Sequence, residues 1–410
     1  MKKSLFAVAA VTAFAGAAQA QSSVTVYGLL DVGFVGSTSR TTAANVQTKQ
    51  TGNSFTNSAE STSRLGFKGV EDLGGGMSAF FTVETGLTPA GTNASPFNNR
   101  QSFAGLKKNG VGQVAFGTQY TPIHAAGALT DPGQQNNMIG NVFYATNTNG
   151  VGNTTQAAGV ATGLNQTTDA YTVRTANTLK LESATFAGFN ATAIYTLNNQ
   201  NTTQTASYST STGSTAGGNN NNSGWGLGVN YTWQKLLVTA NYQSFKSQNP
   251  YGTVAATNAL PAGTTPSPAI YGTTGGSNVN DNQAYVAATY DFGILKAYAQ
   301  WVNRKVTSTV NTGYYASRSA QQLGVRSYIT PTIEAWASAG NGRIDSFGAG
   351  SPTANLVAWQ LGSNYYLSKR TNLYAIYGQA QTSNVVVTGT NAGNLSANAN
   401  NYAVGVRHTF

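Results

Sequence analysis

The chain has 410 residues, no cysteine, 8% charged residues and a formal net charge of +10. A typical globular domain carries roughly 25% charged residues, so this composition argues against a protein whose whole outer surface meets water. The absence of cysteine excludes disulfides and thiol chemistry. The 22 Lys and Arg residues are scattered in ones and twos, without the clustered patch of a nucleic-acid partner.

In chain order, residues 1–20 read as a secretory signal peptide. Lys2 and Lys3 form a basic start, 5–18 an apolar run, and Ala18-Gln19-Ala20 a small-x-small cleavage site. Cleavage is expected after Ala20, leaving 21–410 as the mature unit. The apolar run is shorter than the ~20 residues of a spanning helix, and no later stretch approaches that length.

From there on, apolar and polar residues alternate with period two, the signature of strands with one greasy face. In 24–34, Val24, Val26, Leu30, Val32 and Phe34 oppose Thr25, Tyr27 and Asp31. In 61–70, Leu65 and Phe67 oppose Arg64 and Lys68; a tight turn, 71–76, leads to a third strand from Met77. Further strands are expected near 99–108, 111–120, 171–184, 190–199, 223–233, 236–247, 281–291, 294–307, 317–328, 333–345, 354–366, 372–383 and 400–410, sixteen in all. Each is about the ~10 residues that a tilted strand needs to cross a bilayer. Short connections alternate with long ones, the latter including 35–60, 121–170, 200–222, 248–280 and 384–399, rich in Asn, Thr, Ser and Gly. Tight turns at one end and long loops at the other mark an outer-membrane barrel. The last strand, ending on Phe410, removes its own edge by pairing with the first.

Charge parity supports a polar interior. Arg64, Lys68, Glu84, Arg100, Arg174, Lys180, Glu182, Lys296, Arg326, Glu334 and Arg407 share the polar face, whereas Lys246, Lys305, Arg343 and His408 break parity near strand ends. A cation facing lipid at mid-membrane costs roughly 2–4 kcal/mol, a penalty that fades toward the interfaces. Aromatic residues on the apolar face gather near strand ends, as in membrane girdles. With no separate apolar core in view, the interior is expected to hold water. Loop 121–170 is too long for a plain connection; folded into the lumen, it would narrow the pore and present Asp131 opposite Arg64, Arg100 and Arg174, although an Asp before Pro-Gly is also an ordinary turn former. His124 and His408 are isolated, which disfavours a catalytic cluster or a metal site.

The motifs VTVYGLLDVG (24–33), SRLGFKGVEDLGGGMSAFFTVE (63–84), RQSFAGL (100–106), YLSKRTNLYAIYG (366–378) and the terminal GVRHTF resemble the trimeric general porins of Gram-negative bacteria, neisserial and β-proteobacterial branch. The resemblance implies an all-β, sixteen-stranded antiparallel transmembrane barrel, a homotrimer in the outer membrane among lipid and lipopolysaccharide, and a third external loop folded inward. It implies a constriction lined by Arg64 and Arg100 with Arg174 as a third basic member, and a terminal Phe410 read by the barrel-assembly machinery. Together with Lys68, Glu84 and Asp131 these residues form the expected pore lining. Two departures stand out: Thr118-Gln119-Tyr120 follows Gly117 where members often carry an arginine, and the loop holds few acids. The expected function is passive, moderately anion-selective diffusion of ions and small hydrophilic solutes, without cofactor. A channel specific for a small organic anion and a structural or adhesive barrel are the alternatives.

Overall fold

A computed structural model of the protein describes residues 23–43, 46–91, 98–144, 170–201, 219–248, 279–308, 315–347, 353–385 and 395–410. The expected signal peptide lies outside them, as do most of loops 200–222, 248–280 and 384–399. Among the described residues, seventeen strands form one antiparallel sheet. They are β1 (Ser23–Ala43), β2 (Val46–Asn57), β3 (Arg64–Gly74), β4 (Met77–Gly86), β5 (Asn98–Lys108), β6 (Gly112–Tyr120), β7 (Arg174–Ser183), β8 (Phe189–Asn201) and β9 (Asn219–Trp233). The circuit continues with β10 (Leu236–Gln248), β11 (Val279–Asp291), β12 (Lys296–Ser308), β13 (Tyr315–Thr330), β14 (Ile333–Phe347), β15 (Thr353–Tyr366), β16 (Thr371–Val385) and β17 (Leu395–Thr409). A helix, α1 (Pro122–Thr130), follows β6. No helix among the described residues is long and apolar enough to cross a membrane.

The sheet closes on itself. β17 runs antiparallel to β1 from Leu29↔Thr409 to Thr42↔Ser396, so neither terminal strand keeps an open edge there. The seventeen strands make sixteen staves, because β2 and β3 share one. The lower part of β1 pairs with β3, Ser23↔Val70 to Leu29↔Arg64, and the upper part with β2, Val32↔Asn57 to Ala43↔Val46. The stretch expected as loop 35–60 is therefore largely a hairpin of β1 and β2. Pairing on both sides lets a Ser/Thr-rich run with little apolar content remain extended.

Between β2 and β3, residues 58–63 step out of the ladder and are held by Asp31. Its carboxylate accepts from the backbone N–H of Glu60 (2.8 Å) and Ser61 (2.6 Å) and from the Tyr374 hydroxyl (2.6 Å). Its backbone carbonyl accepts from Ser58 N–H at 2.9 Å.

The tight turns 74–76, 109–111, 184–188, 234–235, 292–295, 331–332 and 367–370 all lie at one end. Gly74, Gly75 and Gly76 have φ of +80°, +59° and +74°, a run that only glycine adopts without strain. Large apolar side chains face outward, among them Leu323, Leu361, Val404 and Trp301, while Arg304, Arg318 and Gln360 are fully buried inside. This is the inverse of a soluble sandwich and matches a barrel in lipid.

One expectation about the interior is corrected. An apolar cluster does exist there: Ile123, Ala126, Val142, Phe143 and Tyr171 pack against Tyr285, Val302, Ala320, Leu356 and Ala358 of the inner wall. The segment after β6 brings its own apolar residues, and small or apolar side chains on the inward parity of β11–β15 receive them.

Candidate pore constriction

The segment 121–144 lies against the inner wall. Thr121 caps α1, its hydroxyl accepting from His124 N–H at 3.4 Å, and Pro122 begins the helix where a missing N–H costs nothing. At its other end the Thr130 and Tyr285 hydroxyls are 2.6 Å apart. The chain then runs along the wall on a series of amide side chains. Gln322 Oε1 accepts from Val142 N–H (3.1 Å), and Asn401 Oδ1 accepts from Ile139 N–H (3.2 Å). Gln360 Nε2 donates to the carbonyls of Met138 (2.7 Å) and Ile139 (2.8 Å), and its amide pairs with that of Asn136. Arg318 donates to Val142 O, and Arg326 donates to Pro132 O at 2.6 Å while bound to Glu334. Asn137 reaches Ser58 O at 2.7 Å, so the segment touches residues 58–63 as well. These partners sit on β11, β13, β15, β17 and the β2–β3 junction; a loop bonded to all of them occupies the lumen.

The facing side is basic. Glu84 on β4 binds Arg100 Nε of β5 at 2.6 Å and lies 3.9 Å from Arg64 Nη1 of β3. The Tyr27 hydroxyl also donates to Glu84, at 3.3 Å. Arg100 Nη2 donates to the Tyr120 hydroxyl at 2.8 Å, and the guanidinium of Arg174 stands over the Tyr120 ring, 5.6 Å from its centroid. Strand pairing of β3, β4 and β5, and of β6 with β7, sets these side chains on one interior patch. Arg64 and Arg100 side chains keep 25% and 12% of their exposure, whereas Glu84 keeps 4%. The patch is net cationic, with three guanidinium groups to one carboxylate.

The loop adds aromatic groups to it. The His124 ring lies 4.3 Å from that of Tyr120, with Tyr144 and Tyr171 beyond. Burial, reinforced by Arg174, Arg100 and Arg64, pulls the His124 imidazole down to about 3, so it is neutral at ordinary pH. Among the described residues no group of His, Asp or Glu side chains is arranged to hold a metal ion.

Of the residues singled out from the sequence, Arg64, Arg100, Arg174 and Glu84 come together. Lys68 is exposed four residues closer to the tight turns than Arg64, its Nζ 5.4 Å from the centre of the Tyr27 ring. Asp131 does not face the arginines across open space, and that expectation is corrected. It is 2% exposed, accepting from Gln135 N–H (2.6 Å), Asn141 Nδ2 (3.1 Å) and Gln322 Nε2 (3.3 Å). Burial raises its carboxyl to about 6. Phe410 sits at the seam, its backbone N–H and C=O each bonded to Gly28 at 3.1 Å. Sequence reasoning overlooked Tyr120, the Asp31 clamp and the buried pair Arg304–Asp281 at 2.5 Å. Arg304 and Asp281 share the inward parity, which is the signal that would have found them.

A family described as Gram-negative porin matches residues 7–385. The chain is 46% identical over 98 residues to outer membrane porin protein 32 of Delftia acidovorans, covering 23% of this chain and 25% of that protein. It is 38% identical over 102 residues to an outer membrane porin protein of Bordetella pertussis, covering 23% and 26%. The matches thus span about a quarter of the length of these curated relatives. Among solved structures, an anion-selective porin from Comamonas acidovorans superimposes with a TM-score of 0.60 at 21% identity, over 95% of this chain and 100% of that one. OmpF of Salmonella typhi, in complex with daunomycin, gives 0.54 at 16% identity, over 94% and 97%. Likeness at this identity speaks for the barrel fold.

Proposed function

The chain belongs to the Gram-negative porin family of the outer membrane, and from that premise we propose that it conducts ions and small hydrophilic solutes passively, with a moderate preference for anions. The observation that carries this reading is the arginine patch: Arg64 and Arg100 share the carboxylate of Glu84 with Arg174 beside them on the Tyr120 ring, while Asp131 is turned into hydrogen bonds with Gln135, Asn141 and Gln322. The loop 121–144 occupies part of the lumen and leaves permeating solutes to pass beside that patch. A unit charge 4 Å from an ion is worth about 1 kcal/mol in bulk water and about 4 kcal/mol near a protein surface. Salt screens contributions beyond ~8–10 Å. A few such charges bias permeation by a modest factor and do not create a tight binding site. The family and the barrel fold favour a channel over an enzyme.

The experiment is a reversal-potential measurement on purified protein in planar bilayers under a salt gradient. An anionic sign is expected, and Arg64→Gln/Arg100→Gln/Arg174→Gln is expected to remove the preference. A cationic sign in the native protein, or an unchanged ratio in the variant, overturns the proposal. A homotrimer, cleavage after Ala20 and recognition of Phe410 during assembly belong to the same reading, supported by the family and the sequence motifs. Light scattering in detergent, N-terminal sequencing and the outer-membrane yield of Phe410→Ser test them in turn.

A further inference from the structure

Two phenylalanines face into the barrel. Phe80 of β4 and Phe103 of β5 lie on the inward parity, Phe80 paired with Gly105 and Phe103 with Thr82, whereas Phe81 and Leu106 of the same strands are exposed outside. Both are half-buried, and neither belongs to the apolar clusters that receive the loop 121–144. Their ring centroids are 6.3 Å apart and the ring planes meet at 77°. A phenyl ring turned toward a polar lumen is unfavourable unless something apolar covers it.

The strand ladder fixes their place. Phe103 shares a hydrogen-bonded row with Thr82 and Lys68; Phe80 is on the next inward row toward the tight turns, with Val70 and Gly105. Phe80 is four residues below Glu84, ~13 Å along the strand, or roughly 9–10 Å along the barrel axis at a tilt near 45°. The pair therefore lies on the wall of the arginine patch, just below it. The inward neighbours are small: Thr82, Gly105, Ala115 and Gly117. A Cβ on Gly105 would come within 2.7 Å of Phe80 Cζ, so that ring lies over the glycine. Two rings at nearly a right angle, bordered by small residues, leave room for a third ring to make one offset-stacked and one edge-to-face contact.

Cations flank this corner. Lys68 is two strands from Phe103 on the same row, roughly 10 Å between backbones. Lys107 is one inward step below Gly105, paired with Ser78. Both are exposed, and neither forms an ion pair among the described residues. The carboxylates at that level are engaged elsewhere. Glu182 meets Lys180 Nζ at 3.4 Å and accepts from Gln113 at 3.1 Å, and Asp72 accepts from Gly74 N–H at 2.9 Å. An apolar aromatic corner thus stands between two lysines that a solute's anionic group can reach.

We propose that this corner is a transient binding site for small aryl carboxylates, with the ring against Phe80 and Phe103 and the carboxylate on Lys68 or Lys107. An aliphatic acid engages the lysines alone, and an aromatic amine is repelled by them; only an aromatic acid uses both parts. Ring contacts worth a few-fold each keep the site weak enough to release its solute. The site rests on the open-channel reading and adds a solute class to it.

The test records chloride current through the purified full-length barrel in planar bilayers while a probe is added to both sides at constant ionic strength. The probes are benzoate, cyclohexanecarboxylate, propionate and benzylammonium. In the wild type, benzoate is expected to halve the current at a concentration about ten-fold below that of propionate and about three-fold below that of cyclohexanecarboxylate. Phe80→Thr/Phe103→Thr is expected to bring benzoate to the level of propionate. Phe80→Leu/Phe103→Leu, which keeps both positions apolar, is expected to erase the preference over cyclohexanecarboxylate. Lys68→Gln/Lys107→Gln is expected to close the gap between benzoate and benzylammonium, and an undiminished gap overturns the part given to the lysines. Equal half-block concentrations for benzoate and propionate in the wild type, or an undiminished benzoate advantage in either phenylalanine variant, overturns the site. Conductance without block by benzoate overturns the site alone, whereas a barrel without conductance overturns the channel reading and the site with it.

Discussion

His124 and Asp131 bracket α1 and respond to acid in opposite senses. His124 titrates near 3 because burial, with Arg174, Arg100 and Arg64 nearby, disfavours its charged form. An unfolded loop would protonate it near 6.5, so acidification weakens docking from about pH 6.5 downward. Asp131 titrates near 6 because burial outweighs its hydrogen bonds from Gln135, Gly133 and Asn141. Its docked form takes up a proton before the free loop does, so docking strengthens as pH falls from about 6 to 4. The two effects nearly cancel over that window. Hydrogen exchange of residues 121–144 is therefore expected to be almost flat between pH 4 and 6, after correction for intrinsic rates. Asp131→Asn is expected to expose the histidine's effect, with protection falling on acidification. His124→Gln is expected to show the reverse. Parallel profiles for all three proteins would mean that these groups do not control docking.

At the scale of the element, Gln360 is the side chain on which the docked loop most depends. It is fully buried, donates to Met138 O, Ile139 O and Asn136 Oδ1, and accepts from Asn136 Nδ2. Gln360→Ala leaves several buried polar atoms without partners, at about 1–3 kcal/mol each and less than additively. The expected outcome is a barrel of unchanged gel mobility whose single-channel current is noisier and larger; an unchanged trace would show that the loop is held without it. Gly378 adds a steric reason, since a Cβ there would meet Ile139 O. These contacts also explain what could be read in advance. Arg64, Arg100, Arg174 and Glu84 were legible because strand parity alone sends them inward. The burial of Asp131 was not, because it depends on Gln322, 191 positions away in the chain. The inner apolar wall left a trace in Val302 and Leu356, which break the polar parity, but each break is small and its meaning lies in a loop elsewhere. The β1–β2 hairpin was hidden for a different reason: its Ser, Thr and Gly residues carry no face preference, and its extension comes from pairing.

For the whole molecule, the decisive feature is that closure of the barrel and the step between β2 and β3 meet at one tyrosine. The Tyr374 hydroxyl donates to Asp31, 343 positions away, and the phenol end of its ring lies over Gly405, with the hydroxyl reaching Gly33, which faces Gly405 across the β1–β17 seam. Any side chain at Gly405 would collide with that ring and drive the hydroxyl off the buried carboxylate. Asp31 would keep Glu60 N–H and Ser61 N–H as donors but lose the third. Because β1 and β17 are far apart in the chain, the seam is the contact with the greatest loop-closure cost, and weakening it falls on the slowest part of folding. Gly405→Ala is expected to lower stability in a lipid refolding titration by more than Tyr374→Phe, which removes the hydrogen bond alone, about 1–3 kcal/mol. In the double variant the two losses are expected to be less than additive, since both act on one contact. Strict additivity would separate the glycine seam from the Asp31 clamp, and wild-type stability in Gly405→Ala would show that the ring has room to move.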